Sequence, residues 1–447
     1  MTKQNSPLVL GTEPIGKLLT QYAIPAIIAM TASSLYNMAD SIFIGHGVGA
    51  LAISGLALTF PLMNLAAAFG SLVGVGASTL VAVKLGQKDY EGANKVLGNV
   101  LILNVVLGVA FTIAFLFLLD PVLYFFGASE NTISYARDYM RIILYGNVVT
   151  HMYLGLNAVL RSSGFPKMAM YATLASVVIN CALNPLFIFG FGWGIKGSAW
   201  ATVISQVISL TGQLIHFSRP KQLLHFKKGI YRLRSEIVKG ILSIGLSPFL
   251  MNLCSCLIVI LINRGLKEHG GDMAIGAYGI VNRIAFLFVM IIMGFNQGMQ
   301  PIAGYNYGAR LYSRVTDVTR LTMRWAVGVA TLGFLLCQLV PSWIVRMFTS
   351  DGISAASYGL HIVFAVFPIV GFQMVATNFF LSIGMSKKAI FLSLTRQMLF
   401  LIPCLILLPP LFGTLGVWIS MPIADTVAAI VTAIVLVKQF KQFKYGT

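Results

Sequence analysis

Apolar residues in this chain come in long, nearly unbroken runs, not in alternation with polar ones. A helix needs about 20 apolar residues to cross a bilayer. Twelve runs meet that length: 17–44, 51–83, 96–119, 134–160, 168–191, 194–217, 237–263, 274–304, 318–345, 357–383, 388–411 and 414–437. The second and eighth exceed the requirement and include interfacial turns. Membrane β-strands would show roughly ten-residue segments of alternating hydrophobicity, so the pattern predicts an all-α integral membrane protein with twelve transmembrane helices. Composition agrees. Hydrophobic residues make up 57% and charged residues 10%, against about 25% charged in soluble proteins, and the mean hydropathy is +0.84.

The net charge of +18 invites a nucleic-acid partner until its placement is considered. Lys and Arg cluster after even-numbered runs: Lys84, Lys88 and Lys95; Arg161 and Lys167; Arg310, Arg314 and Arg320; Lys387 and Lys388; Lys438, Lys441 and Lys444. The connection between runs six and seven adds Arg219, Lys221, Lys227, Lys228, Arg232, Arg234 and Lys239. Odd-numbered connections are poorer. That is the positive-inside pattern, which places a multi-pass chain in the cytoplasmic membrane with both termini and the central loop in the cytoplasm, and assigns the basic excess to topology, with no nucleic-acid partner. The start of the chain lacks the short apolar core and cleavage site of a signal peptide. All five cysteines fall inside apolar runs and read as small hydrophobes. The six histidines show no ligand spacing, so no metal site or cofactor is expected. Neither a Ser/His pairing nor a soluble domain points to an enzyme.

The chain is written twice. Pro25 and Pro248 both fall early in the first run of their half; the Gly76 and Gly86 step recurs as Gly298 and Gly308; Gly164-x-x-Lys167-x-Ala169 recurs as Gly384-x-x-Lys387-x-Ala389. Three matches in order at nearly one offset indicate an internal repeat. The expected organisation is an N-terminal six-helix bundle (1–218), a basic cytoplasmic linker (219–240) and a C-terminal six-helix bundle (241–447). Six spans is an even number, so the repeat is parallel. Two such bundles with a cavity between them suit a transporter that alternates its opening.

Thirteen acidic residues occur, and only Asp40 and Asp425 lie well inside apolar runs. A carboxylate in hydrocarbon costs several kcal/mol unless paired, protonated or hydrated, so such acids are functional candidates. Tyr36 and Asp40, Asn180 and Asn184, and Ser198 and Thr202 each stand four apart, side by side on a helix. Brought together, they would form an oxygen-rich site for Na+ or a place to hold H+; the plainer alternative is that they hold helices together. Pro25 is either a hinge or a static kink. In the second half Arg283 and Arg396 lie within spans, and buried charges pair, so Asp425 is expected to partner Arg283, Arg396 or both, as a brace or as part of coupling. Asn157, Gln300 and Gln373 are further polar candidates for a substrate cavity. The abundance of Met, Phe and Tyr suits an adaptable apolar cavity, or ordinary packing.

Several segments resemble the MATE (multidrug and toxic compound extrusion) transporters, in particular their MepA-like prokaryotic branch. They are Ile24-Pro25 with Tyr36-Asn37-Met38-Ala39-Asp40-Ser41-Ile42-Phe43-Ile44-Gly45; the stretch from Asn180 to Gly190; Gly197-Ser198-Ala199-Trp200-Ala201-Thr202; and Gln300-Pro301-Ile302-Ala303-Gly304-Tyr305-Asn306-Tyr307-Gly308-Ala309. The resemblance implies two pseudo-symmetric six-helix bundles in a V, exporting hydrophobic or cationic drug-like compounds in exchange for Na+ or H+, and a chain that works as a monomer in the bilayer. It also implies that Asp40, Asn180 and Thr202 contribute to the cation or proton site. The chain departs from the pattern at Asn184, where many relatives carry Asp. The competing transport reading is an exporter or flippase of a polar metabolite or lipid-linked substrate; a membrane enzyme or receptor would not need the duplicated bundle.

Overall fold

The computed structural model describes residues 6–446 and, within them, is built of helices without a strand. All twelve apolar runs are helical. In chain order, α1 (Ile15–Gly47), α2 (Ala50–Gly86) and α3 (Tyr90–Phe117) are followed by the short α4 (Leu119–Phe125). The fourth span is broken: α5 (Ile133–Tyr145) and α6 (Asn147–Ser162) meet at a bend of 56°. The fifth is α7 (Pro166–Pro185) continued by a π turn over Leu186–Gly190, and the sixth is α8 (Ile195–Phe217). Spans seven and eight form one run, α9 (Ser235–Gly308), interrupted at Gly271, whose φ of 68° and ψ of −162° leave the helical region. Then come α10 (Tyr312–Leu339), the short α11 (Pro341–Arg346), α12 (Ile353–Val363) with α13 (Phe367–Ser382), and α14 (Ser386–Leu394). A second π turn over Thr395–Leu401 leads into α15 (Ile402–Leu407), the one-turn α16 (Pro409–Phe412) and α17 (Thr414–Tyr445). Local signals set several starts. Asp89 caps α3 by accepting from the Gly92 amide at 2.9 Å. Pro166, Pro341 and Pro409 sit in first turns, where the missing N–H costs nothing.

The helices group into two compact units, one comprising 6–9 and Ile28–Phe249, the other Leu10–Ile27 and 250–446. This division differs from a break at 219–240. The opening of α9 stays with the first unit, and the opening of α1 belongs to the second. The repeat marked by glycines shows why. In the first unit, a Cβ on Gly76 would collide with the Ile241 carbonyl oxygen; in the second, a Cβ on Gly298 would stand 2.6 Å from the Ala23 Cα. Only glycine lets the backbones approach so closely. Each long helix passes from one unit to the other within two residues of a proline, Pro25 before Ile27 and Pro248 before Phe249. In the second unit, the start of α1 is further tied by Arg314, whose Nη2 donates to the carbonyls of Leu10 (2.9 Å) and Glu13 (2.6 Å).

The linker does not hang free. Asn94 of α3 donates to the Leu223 carbonyl and accepts from the His225 amide, at 3.2 and 3.0 Å. Asn99 repeats the arrangement with Arg232 and Arg234, at 3.2 and 3.1 Å. Each side-chain amide thus pairs with the linker backbone as a neighbouring strand would, satisfying groups that a loop otherwise gives to water.

The duplication is written in the backbone as well. The non-glycine residues with positive φ among those described are Lys88 (61°) and Arg310 (59°), 222 positions apart. Gly164 (97°) and Gly384 (79°) match at 220, and Gly194 and Gly413 precede α8 and α17 with φ/ψ of 62°/−138° and 66°/−137°.

Candidate functional site

The three polar pairs of the first half meet in the first unit. Asp40 is buried, and its Oδ1 accepts from Ser198 Oγ and from Asn184 Nδ2, both at 2.5 Å. Asn184 Nδ2 also donates to Asn180 Oδ1 at 3.2 Å. Asn180 Nδ2 in turn reaches Tyr36 Oη (3.0 Å) and Thr202 Oγ1 (3.1 Å), and those two hydroxyls share a hydrogen bond of 2.8 Å. Residues from α1, α7 and α8 therefore form one connected network. The helical spacing explains it. Residues four apart share a face, so two contacts per helix suffice to lock three helices around one carboxylate.

Two acceptor atoms remain open. No donor among the described residues reaches Asp40 Oδ2, and the buried Asn184 Oδ1 has no partner. No Lys or Arg forms an ion pair with Asp40 among the described residues. A buried carboxylate held by neutral donors, with acceptors left open beside it, offers oxygen to a small hard cation or a seat for a proton. No grouping of three His, Cys, Asp or Glu side chains occurs among the described residues; the open oxygens beside this carboxylate are Asp40 Oδ2 and Asn184 Oδ1.

Tyr139 of α5, fully buried, lies against Thr202 and close to Asp40 and is part of this site. Spacing did not single it out, because α5 carries several polar and charged side chains around it, including Tyr135, Arg137, Asp138 and Arg141. Asn157 is buried near the C-terminal end of α6, where it donates to the Ala169 carbonyl (3.0 Å) and Thr173 Oγ1 (3.3 Å) and accepts from Arg161 Nη1 (2.6 Å). That bracket ties α6 to α7. In the second unit Gln300 and Gln373 are both buried, and Gln373 Oε1 has no hydrogen-bond partner among the described residues. Asp425 is buried and pairs with Arg396 Nε at 2.5 Å, within the π turn of the eleventh span. Arg283 forms no ion pair among the described residues; it is exposed on α9. Of the two arginines offered by the sequence, Asp425 takes Arg396.

The sequence profile of the MatE family matches residues 25–186 and again 244–407, one copy in each half. The chain belongs to the MatE family. Among its curated relatives are the multidrug export protein MepA of Staphylococcus haemolyticus strain JCSC1435, 29% identical over 421 residues (93% of this chain, 92% of the relative), and the protein of the same name from Staphylococcus aureus strain N315, 27% identical over 429 residues (95% and 94%). Solved structures of the family are similar throughout. The MATE multidrug transporter DinF-BH in complex with rhodamine 6G is 37% identical, with a TM-score of 0.89 over 98% of both chains. A MATE structure in the bent conformation is 25% identical, with a TM-score of 0.94 over 99% of both. The MatE architecture, twelve transmembrane helices in two bundles, is therefore that of this chain, a multi-pass membrane protein.

Proposed function

We propose that this MatE chain is a secondary active multidrug efflux antiporter, exporting hydrophobic and cationic organic compounds in exchange for Na+ or H+. One observation carries the reading: Asp40 is a buried membrane carboxylate to which no cationic side chain is paired among the described residues. Isolated in an apolar span, such a charge costs several kcal/mol. The cost is removed by a proton, by Na+ at Asp40 Oδ2 and Asn184 Oδ1, or by the cationic group of a drug. These occupants exclude one another. An ion arriving at Asp40 displaces the drug, and a drug displaces the ion, which is the differential binding that coupling requires.

Tyr36, Asn180, Asn184, Ser198 and Thr202 position the carboxylate through the network around it. With Asn at 184 the site holds a single acid, so one cationic charge neutralises it. Pro25 is the hinge: it removes a helical hydrogen bond where α1 leaves one unit for the other, so bending α1 there transmits the change of occupant. Gln300 and Gln373 are polar contacts for substrate within the second unit, while Asn157 acts as a brace. The Lys and Arg distribution supports a cytoplasmic-membrane location with both termini inside. The chain works as a monomer, transports without catalysing a covalent change, and needs no cofactor beyond the coupling ion. Support comes from the unpaired acid, from the MepA relatives, which are named for multidrug export, and from the DinF-BH structure, described as a complex with rhodamine 6G.

The test is dye efflux from proteoliposomes with Na+ and pH gradients imposed separately. One of the two gradients drives export by the unaltered chain, and Asp40→Asn removes that dependence. Export indifferent to both gradients would sink the antiport reading.

A further inference from the structure

Three lysines at the outer ends of the last two spans line one cleft. Lys387 and Lys388 occupy the first turn of α14, and Lys438 follows the apolar run of α17. Consecutive antiparallel spans bring those two ends to the same side of the membrane. Between them lies an open cleft of about 340 Å³, lined by Lys387, Lys388, Lys438 and Gln442 together with Phe391 and Val435. Lys388 is fixed in place: its Nζ donates to Gln439 Oε1 at 2.5 Å and stands 5.7 Å from the centre of the Phe380 ring. Lys387 and Lys438 are exposed.

No counter-charge is built in. Beyond Asp351 the chain holds one acid, Asp425, and Arg396 takes it. None of the three lysines forms an ion pair among the described residues. The first turn of α14 contains no acid and no side-chain cap. Two ammonium groups therefore sit against the positive end of a helix dipole, where an anion is the favoured neighbour. The duplication does not account for this, because the matching start in the first copy reads Pro166-Lys167-Met168, with one lysine in place of two.

Polarity also changes with depth. Phe391 lies four residues inward from Lys387, and Val435 three inward from Lys438, so the apolar wall begins about 5 Å below the charged rim. A phosphodiester at the rim with an acyl chain running down the wall matches both levels, whereas a free phosphate uses the upper one alone. We propose that this cleft binds an anionic phospholipid, its phosphate seated among Lys387, Lys388 and Lys438 and one acyl chain along Phe391 and Val435. The lipid supplies the missing counter-charge and ties the start of span eleven to the end of span twelve. The inference stands apart from the efflux reading.

The test uses the full chain purified in detergent. Phosphatidylglycerol and phosphatidylcholine of matched acyl chains are titrated in, and bound lipid is counted by native mass spectrometry. The unaltered chain holds one phosphatidylglycerol in preference to phosphatidylcholine. Lys387→Gln/Lys438→Gln alters two exposed side chains and spares Lys388 with its partners; it weakens that binding about thirtyfold, or about fivefold for each lysine facing an anionic lipid. Lys227→Gln/Lys228→Gln removes the same charge from the linker and leaves the binding unchanged. Absence of the lipid preference, no loss in the cleft variant, or an equal loss in the linker variant overturns the inference. So does displacement of phosphatidylglycerol by millimolar inorganic phosphate, which gives the cleft to a free anion. If the double cleft variant yields no folded protein, Lys438→Gln alone, with an expected loss of about fivefold, decides. Drug efflux by the unaltered chain stands under every one of these outcomes.

Discussion

Asp40 and Asp425 are both buried acids in long apolar helices, one in each unit, and their neighbours differ in kind. Asp40 receives two hydroxyl or amide donors and no cation among the described residues, whereas Asp425 receives an arginine. Neutral donors stabilise a carboxylate in part and leave its charge to be matched by something that comes and goes. An arginine matches it permanently. On the proposed function, the same residue type is left for exchange in one unit and committed to structure in the other, and the distinction lies in the partners each acid receives.

The largest effect that would break this comparison is expected at Asp40. Asp40→Asn keeps the hydrogen-bonding shape but not the charge, and should lower ion-driven dye efflux about a hundredfold, within the range of coupling energies between linked sites, when measured in proteoliposomes at matched protein density. Asp425→Asn should act on stability instead. Removing one partner of a buried pair leaves the other charge uncompensated, which costs about 2–3 kcal/mol where the arginine is partly exposed, and this reads out as a lowered unfolding temperature in detergent. The double change Arg396→Met/Asp425→Leu should recover most of that loss; failure to recover would show that the pair does more than brace.

Asn184→Asp sharpens the contrast further. A second carboxylate beside Asp40 should raise apparent Na+ affinity about tenfold, since ligand charge sets cation affinity in oxygen sites, as followed by the Na+ concentration that half-drives efflux. Tyr36→Phe should be the mildest, a loss of a few-fold in the same assay, equivalent to about 1 kcal/mol for one network hydrogen bond.

Much of the candidate site was legible because the chemistry obeys helical spacing: Tyr36 with Asp40, Asn180 with Asn184 and Ser198 with Thr202 each declare a face. That the three faces meet is a tertiary fact that no single span contains. Tyr139 was hidden for that reason, as one polar group among several on α5, Tyr135, Arg137 and Asp138 among them. The choice between Arg396 and Arg283 was likewise out of reach. Arg396 sits in a π turn, which shifts the register of every side chain after it, and apolar sequence around it does not announce such a turn. The duplication was readable, and the backbone repeats it at Lys88 and Arg310. The exchange of helix openings was not readable, although Gly76 and Gly298, which mark it, were already visible as a matched pair. Sequence showed that they correspond; only packing shows that each receives a backbone.

The clamped linker has a practical consequence. Asn94 and Asn99 hold the backbone at 223–225 and 232–234, while Gly229 between them has a positive φ of 89° and open space around it. The segment therefore behaves as a short bridge with both abutments fixed and a free middle. An epitope or fluorescent domain grafted at Gly229 should leave both clamps intact, whereas the same graft a few residues either way would pull a clamp apart. The duplicated chain carries a ready attachment point where its two copies were joined.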